Sequence, residues 1–430
     1  MKNLFMILVM LSAISVNAQW EPDVRLTNAT GVSYTTGNNT WCIAANGNVV
    51  HLVWMDRRDG NWEIYYKRSY NSGVTWEADI RLTNSPANSE NPSIALSDSL
   101  VHVVWTGNRD GNYEIYYKRS TDGGANWGSD TRLTNNAPFF SGSPSLSVSG
   151  SNVHVVWTDN RDGNYEIYYK RSTDNGIYWG ADTRLTNNNE NSSIQSIAVY
   201  GSFVNVVWHF WHNNNWQIYY KRSTDAGISW SEDTRLTYSA SYSWYPSLAV
   251  SGTFVHAVWE DLRDGNEEIY YKRSTDGGIN WEADTRLTNN TAWSRSPVII
   301  VSDSNVHVVW SDTRDGIVDV FYKRSTDGGI TWEGDTRLTN NTTNSWYPSI
   351  AVSGSIVHVV WTDNREGDYE IYYKRNPTGN LVDIQNISTE IPSKYSLSQN
   401  YPNPFNPVTK IRFDVPSVKQ ASLLVNLKVY

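Results

Sequence analysis

"DVRLTN" (Asp23–Asn28) stands alone near the start of the chain, yet it is the closing phrase of a longer unit, "KRSTDGGITWEGDTRLTN" (Lys323–Asn340), that recurs along the sequence. Working outward from it, the tryptophan that ends each "VHVVW"-like segment falls at Trp54, Trp105, Trp157, Trp208, Trp259, Trp310 and Trp361, at intervals of 51, 52, 51, 51, 51 and 51 residues. So regular a period implies stacked or radially arranged units. In the last unit "PSIAVSGS" (Pro348–Ser355) reads as a short strand with a Ser-Gly turn, followed by the Val-rich strand "IVHVVW", the turn "NREGD" and a third strand, "YEIYYKR". In the complete units an Asp/Gly-rich turn then leads to a fourth strand, "DTRLTN". No helical 3.6-residue period is present. Four antiparallel strands in one such unit is the size of a propeller blade.

The ends of the array decide between a ring and an open stack. The "RLT" strands begin at Arg25, Arg81, Arg132, Arg184, Arg235, Arg286 and Arg337, whereas the last unit stops at "EIYYKRNPTGN" (Glu370–Asn380) without one. Seven tryptophans meet seven outer strands only if the N-terminal strand completes the last blade. The expected fold is therefore all-β, a seven-bladed β-propeller of four-stranded antiparallel blades closed by the N-terminal strand, which removes two exposed sheet edges.

Composition agrees with a β-rich core. Of 430 residues 39% are apolar, and 21 Trp and 27 Tyr stand in for aliphatic bulk. Thirty-five Lys plus Arg against 44 Asp plus Glu leave a formal charge of −9 without a basic block, which excludes a nucleic-acid binder of the electrostatic kind. The opening "MKNLFMILVMLSAISVNAQW" has a Lys, an apolar run and the small-residue site Val16-Asn17-Ala18, so residues 1–18 are expected to be a signal peptide. No later run is long enough to span a membrane. The single cysteine, Cys42, lies where most sister repeats carry Ser and is expected to be a small core residue. Residues 19–376 are assigned to the propeller, 377–394 to a linker of Pro, Gly, Asn and Ser character, and 395–430 to a further segment.

Two resemblances follow from quoted motifs. "STDGGANW" (Ser120–Trp127), "STDNGIYW" (Ser172–Trp179), "STDAGISW" (Ser223–Trp230), "STDGGINW" (Ser274–Trp281) and "STDGGITW" (Ser325–Trp332) share Ser-x-Asp-x-Gly-x-x-Trp, with "SYNSGVTW" (Ser69–Trp76) a worn copy. The pattern resembles the Asp box, or BNR repeat, of the sialidase superfamily. Its aspartates are Asp122, Asp174, Asp225, Asp276 and Asp327, and the resemblance implies a scaffold role on the face opposite an active site. Locally, the Asp can accept turn amides, the Gly permits positive φ and the Trp anchors the hairpin. A calcium loop is not implied, because the acidic residues miss its alternating ligand positions. The tail "YSLSQNYPNPFNPVTKIRFDVP" (Tyr395–Pro416) resembles the start of a C-terminal sorting domain of the type IX secretion system, shortened here. That implies the type IX machinery as a partner and a secreted or outer cell-surface location.

A catalytic or binding centre occupies one place, so its residues should break the sevenfold pattern. The histidines His51, His102, His154, His256, His307 and His358 share one strand position, with Asn205 in the remaining copy, and are expected to be buried and hydrogen-bonded. Arg58, Arg109, Arg161, Arg263, Arg314 and Arg365 also recur once per blade, which favours hairpin salt bridges. Because their loop lies on the face opposite the Ser-Asp-Gly turns, Arg161, Arg263 and Arg314 are nevertheless kept as candidate ligand contacts.

Blade 4 departs most, reading "WHFWHNNNWQI" (Trp208–Ile218) where its sisters read like "WTDNRDGNYEI". Phe210, Trp211, His212 and Trp216 there are candidate ligand-binding residues. Trp244 and Tyr245 of "YSWYPS", Trp293 of "TAWSRSP", and Trp346 and Tyr347 of "NSWYPS" join them, since aromatics beside polar groups suit stacking on sugar rings. The expected function is a monomeric secreted or surface propeller that binds glycan or another extracellular polymer without catalysis, with no cofactor and no metal. The alternative is an exo-acting glycoside hydrolase of sialidase type, against which stand a missing Arg-Ile-Pro motif, seven blades where sialidases have six, and no loop insertion to build a deep pocket.

Overall fold

The structure, a computed structural model, describes residues 20–36 and 41–378 together with two short strands, Ser396–Leu397 and Phe413–Asp414. Those two strands pair antiparallel within a unit separate from the propeller. The expected signal peptide, nearly all of the linker and the rest of the expected sorting segment lie outside the described residues.

Seven antiparallel sheets follow one another along the chain, as expected, and each repeats one order from the inner strand to the outer. Blade 3 is representative, with strands Ser141–Ser149, Asn152–Asp159, Glu166–Ser172 and Thr183–Arg184. In its second strand every residue after the half-buried Asn152 is buried, because a sheet covered by a neighbouring blade on each side buries both faces. Val, Ile and aromatic side chains fit that demand, and the seven tryptophans of the period are all buried.

The ring closes as the orphan strand requires. Val24 and Arg25 pair with Tyr373 and Tyr372, completing blade 7 from the opposite end of the chain. The N-terminus supplies more than a strand. Trp20 packs edge-on against Tyr322 at 5.0 Å, the contact that Trp332 makes with Tyr271 at 4.9 Å and Trp281 with Tyr220 at 5.0 Å. Glu21 pairs with Arg375 as Glu333 pairs with Arg324, and Asp23 bridges Arg365 and Lys374 as Asp335 bridges Arg314 and Lys323. The seam thus lies inside a Ser-Asp-Gly turn, its second half contributed by "WEPD" (Trp20–Asp23).

The turns themselves behave as their composition predicts. Asp327 Oδ1 accepts the amides of Ile330 at 3.0 Å and Thr331 at 2.8 Å, while Ser325 Oγ accepts the Gly329 amide at 2.8 Å. Gly329 has φ of 84°, and a Cβ there would lie 1.9 Å from the Tyr271 hydroxyl of the preceding blade. Only glycine lets the turn close onto its neighbour. The Asp276 carboxyl is held down to about 2, first by the Asn280 amide and then by the Asn280 and Ser274 side chains.

Blade 1 carries a feature the repeat alignment did not register. From outer-strand Arg to the next period Trp the chain takes 29 residues at Arg25–Trp54 but 24 at Arg81–Trp105. The extra residues split the inner strand into Ser33–Tyr34 and Ile43–Asn46 and carry Trp41 into the central channel, among Ile94, Val148, Val250 and Val352. Its indole packs against the cores between blades 4 and 5 and between blades 6 and 7. Beside it Cys42 is fully buried, and burial pushes its thiol up to about 11, as befits a core residue.

Candidate functional site

Turns between strands one and two and between strands three and four lie at one end of each blade. Turns between strands two and three, and the connections from one blade to the next, lie at the other. The Ser-Asp-Gly turns belong to the first face, and the departures from symmetry belong to the second.

The repeated frame accounts for the recurring polar residues. In blade 3 Trp157 Nε1 donates to Asp159 Oδ2 at 2.8 Å, Ser141 Oγ donates to the same oxygen at 2.8 Å, and Arg161 Nε donates to Asp159 Oδ1 at 2.8 Å. Arg161 Nη1 reaches Asp182 at 2.7 Å and its guanidinium lies 4.2 Å from the Tyr168 ring centre. Arg263 repeats these bonds with Asp261, Asp284 and Tyr270, and Arg314 with Asp312, Asp335 and Phe321. The structure therefore does not bring the three arginines together. Each is held by two carboxylates and a ring of its own blade, because a planar guanidinium clamped on both sides cannot turn toward the axis.

The histidines form the second part of the frame. His154 Nδ1 lies 2.7 Å from the Tyr169 hydroxyl, and the same 2.7 Å bond joins His51 to Tyr66, His102 to Tyr117, His256 to Tyr271, His307 to Tyr322 and His358 to Tyr373. Asn205 takes the place of the imidazole and accepts from Tyr220 at 2.5 Å. Burial, with Arg171 adding to it, lowers His154 to about 4, so the ring is neutral near pH 7.

The frame breaks in blade 4 for an identifiable reason. Phe210 stands where blade 3 has Asp159, so Trp208 Nε1 has no partner, and His212 packs on Phe210 and Tyr219 where an arginine would clamp. Asn213 and Asn214, with φ of 51° and 62°, make a two-residue turn that lets both strands run on to His212 and Asn215. Trp211 meets Trp216 and Tyr242 on the outer side of this hairpin. Phe210, Trp211 and His212 thus build the hairpin's own aromatic packing.

Closer to the axis every inner strand from blade 2 onward has a register shift, with one residue at positive φ: Asn91, Ser143, Ile194, Tyr245, Ser296 and Tyr347, between 48° and 55°. A bulge re-aims side chains, and here it does so around the channel mouth. The residues at and before the bulge are small or polar in blade 3 (Gly142, Ser143) but are Trp244 and Tyr245 in blade 5 and Trp346 and Tyr347 in blade 7. They line a cleft of about 490 Å³ with Trp216 of blade 4. Of the residues singled out in the sequence these five meet. Trp293 stands outside the cleft and stacks on Trp346 at 6.0 Å.

Sequence reasoning missed the polar wall of the same cleft: His209, Glu260, Glu267, Arg295, Ser296 and Ser311. Glu260 Oε1 accepts the Ser296 amide at 2.5 Å and Oε2 accepts Trp244 Nε1 at 2.7 Å. Burial pushes its carboxyl up to about 8, against the pull of those two bonds and of Arg295. At neutral pH Glu260 is a protonated acid facing an aromatic cleft. Glu267 pairs with Arg295 at 2.6 Å, and that guanidinium lies 4.2 Å from the Trp293 ring centre. His209 stacks on Trp216 at 4.3 Å, bonds through Nε2 to Ser193 Oγ at 2.7 Å and is lowered by burial to about 3. The signal was present: blade 5 reads "VWEDLR" where blade 3 reads "VWTDNR".

No family model matches the chain, and no curated protein matches it. Among solved structures it is similar to the polysaccharide lyase Uly1 (TM-score 0.57, 9% identity, 84% of this chain and 100% of that one). It is also similar to a protein of unknown function from Dyadobacter fermentans (TM-score 0.52, 13% identity, 83% of this chain and 98% of that one). A match to the endosialidase of phage phi92 has a TM-score of 0.49 at 11% identity over 94% of this chain and 76% of that one. At such identities the first two likenesses are of fold alone.

Proposed function

We propose that this is a secreted or cell-surface propeller that binds a glycan in the aromatic cleft of blades 4 to 7 without cleaving it, its Asp-box turns serving as scaffold and its tail as a type IX sorting signal. The observation that carries the reading is the placement of Trp216, Trp244, Tyr245, Trp346 and Tyr347 around one cleft at the channel mouth, where the sevenfold pattern lapses. Flat apolar rings beside hydrogen-bonding groups match the alternating faces and edges of pyranose sugars. Affinity electrophoresis of the chain through a panel of soluble polysaccharides tests it. Retardation by at least one polymer, abolished in Trp346→Ala, is the expected result, and free migration in all of them would refute it.

A second reading, glycoside cleavage, draws on Glu260. A buried carboxylic acid that keeps its proton at neutral pH, with Glu267 on the same cleft, is the type of group that protonates a leaving glycosidic oxygen. Reducing-end release from the retarding polymer, together with hydrolysis of a fluorogenic sialoside, decides it. Turnover lost in Glu260→Gln would replace the binding-only reading.

A further inference from the structure

Three residues that directly follow the period tryptophan in consecutive blades, His209, Glu260 and Ser311, stand together on the cleft wall. In blades 2, 3 and 7 this position is a threonine spent on joining blades. Thr106 Oγ1 accepts the Ser143 amide at 3.0 Å, Thr362 Oγ1 accepts the Thr35 amide at 2.9 Å, and Thr158 donates to Gln195 at 2.8 Å. In blades 4 to 6 that use is wholly or partly given up. His209, only 7% exposed, has Nδ1 buried without a partner, and Ser311, 1% exposed, has Oγ buried without one. Glu260 keeps the inter-blade bond to Ser296, but its two bonding partners are both donors. The hydrogen of the protonated carboxyl therefore has no acceptor among them.

Buried polar groups in a folded protein are normally paired, and two unpaired atoms on one cleft with a buried acid between their blades call for a shared partner. That partner must offer both donors and acceptors at successive positions, which is what the hydroxyls along one edge of a sugar ring do. Charge narrows the class. Arg295 is already neutralised by Glu267, and burial keeps His209 uncharged, so a carboxylate ligand would have to displace Glu267 to find a cation here. We infer that His209, Glu260 and Ser311 form a hydroxyl-reading edge that selects an uncharged saccharide in the cleft, an inference that rests on the glycan-binding reading above.

Calorimetric titration of the full chain with cellopentaose, xylopentaose, mannopentaose, trigalacturonate and sialyllactose tests the edge. At least one neutral oligosaccharide is expected to bind and neither acidic one to compete. Ser311→Ala and His209→Phe should each weaken binding about tenfold, because a site built around a hydroxyl penalises loss of its partner. Should His209→Phe lower the melting temperature, Ser311→Ala decides alone. Preference for an acidic oligosaccharide overturns the inference. So does neutral binding that ignores Ser311→Ala yet disappears in Trp346→Ala, an outcome that leaves the aromatic cleft standing. Absence of binding to any probe, with polysaccharide retardation also absent, removes both readings.

Discussion

Blades 3 and 5 are almost the same object on their outer sides and different objects at the channel mouth. Trp157 and Trp259 donate to Asp159 and Asp261 at 2.8 and 2.9 Å, and Arg161 and Arg263 both lie 4.2 Å from a tyrosine ring. At the mouth, Gly142, Ser143 and Thr158 of blade 3 face Trp244, Tyr245 and Glu260 of blade 5. The two copies agree in the Trp-Asp-Arg frame, since a change there leaves a buried polar group unpaired. They diverge where the side chain meets open space. A residue's partners, more than its chemical type, separate frame from site.

Acid should damage the frame most. Six histidines bonded to tyrosines have folded pKa values below their ordinary 6.5, His51, His102, His154 and His256 near 4 and His307 and His358 near 3. The unfolded chain takes up these protons first, so the histidines' contribution to stability is complete above pH 6.5 and is lost as pH drops toward 4, by about 1.4 kcal/mol per pH unit for each ring. Denaturant melts between pH 7 and 4.5 should show this slope. His154→Asn, copying Asn205, should reduce it by one proton, and an unchanged slope would break the frame's histidine account.

Next in size, Trp157→Ala should cost about 3–5 kcal/mol in denaturant melts, as a large buried side chain does. Trp346→Ala should cost under about 1 kcal/mol while removing polysaccharide retardation. Equal losses of stability would erase the contrast between frame and mouth. Trp20→Ala should lower stability by about 1–3 kcal/mol, because it opens the seam. Loss confined to blade 7 amides in hydrogen exchange would locate it there.

The smallest effect sharpens the mouth itself. Glu260 has a folded pKa near 8, above the ordinary 4.5, so the unfolded chain loses this proton first and stability declines as pH rises from about 4.5 to 8. Above pH 6.5 the histidines add no further slope. Melting temperatures between pH 6.5 and 9 should fall in the native chain and stay flatter in Glu260→Gln.

The contrast also explains what could be read from the chain alone. Blade count, ring closure, the burial of the recurring histidines and the Ser-Asp-Gly turns are legible, because each follows from a pattern written several times over. The aromatics Trp244, Tyr245, Trp346 and Tyr347 were found as interruptions in connecting segments. Glu260 and Ser311 were passed over because they sit inside a strand, one residue after an invariant Trp, where alternation suggests burial. Their burial is real, and only packing shows that it lies against a cleft. Trp41 escapes a count from Trp to Trp because that count starts at Trp54, after the inner strand of the first unit. Arg161, Arg263 and Arg314 invited a ligand role by type and face, and their own aspartates had already claimed them.

The seam at Trp20 sets a timetable. Glu21 and Arg375 are 354 residues apart, and Trp20 rests on Tyr322. Translation makes Val24 and Arg25 long before Tyr372 and Tyr373, and no intermediate length of nascent chain can complete blade 7. Contacts so distant along the chain are slow to form, and until they do the first and last sheets keep open edges. The latch is synthesised long before the strand it fastens, and it waits for the whole ring before it can close.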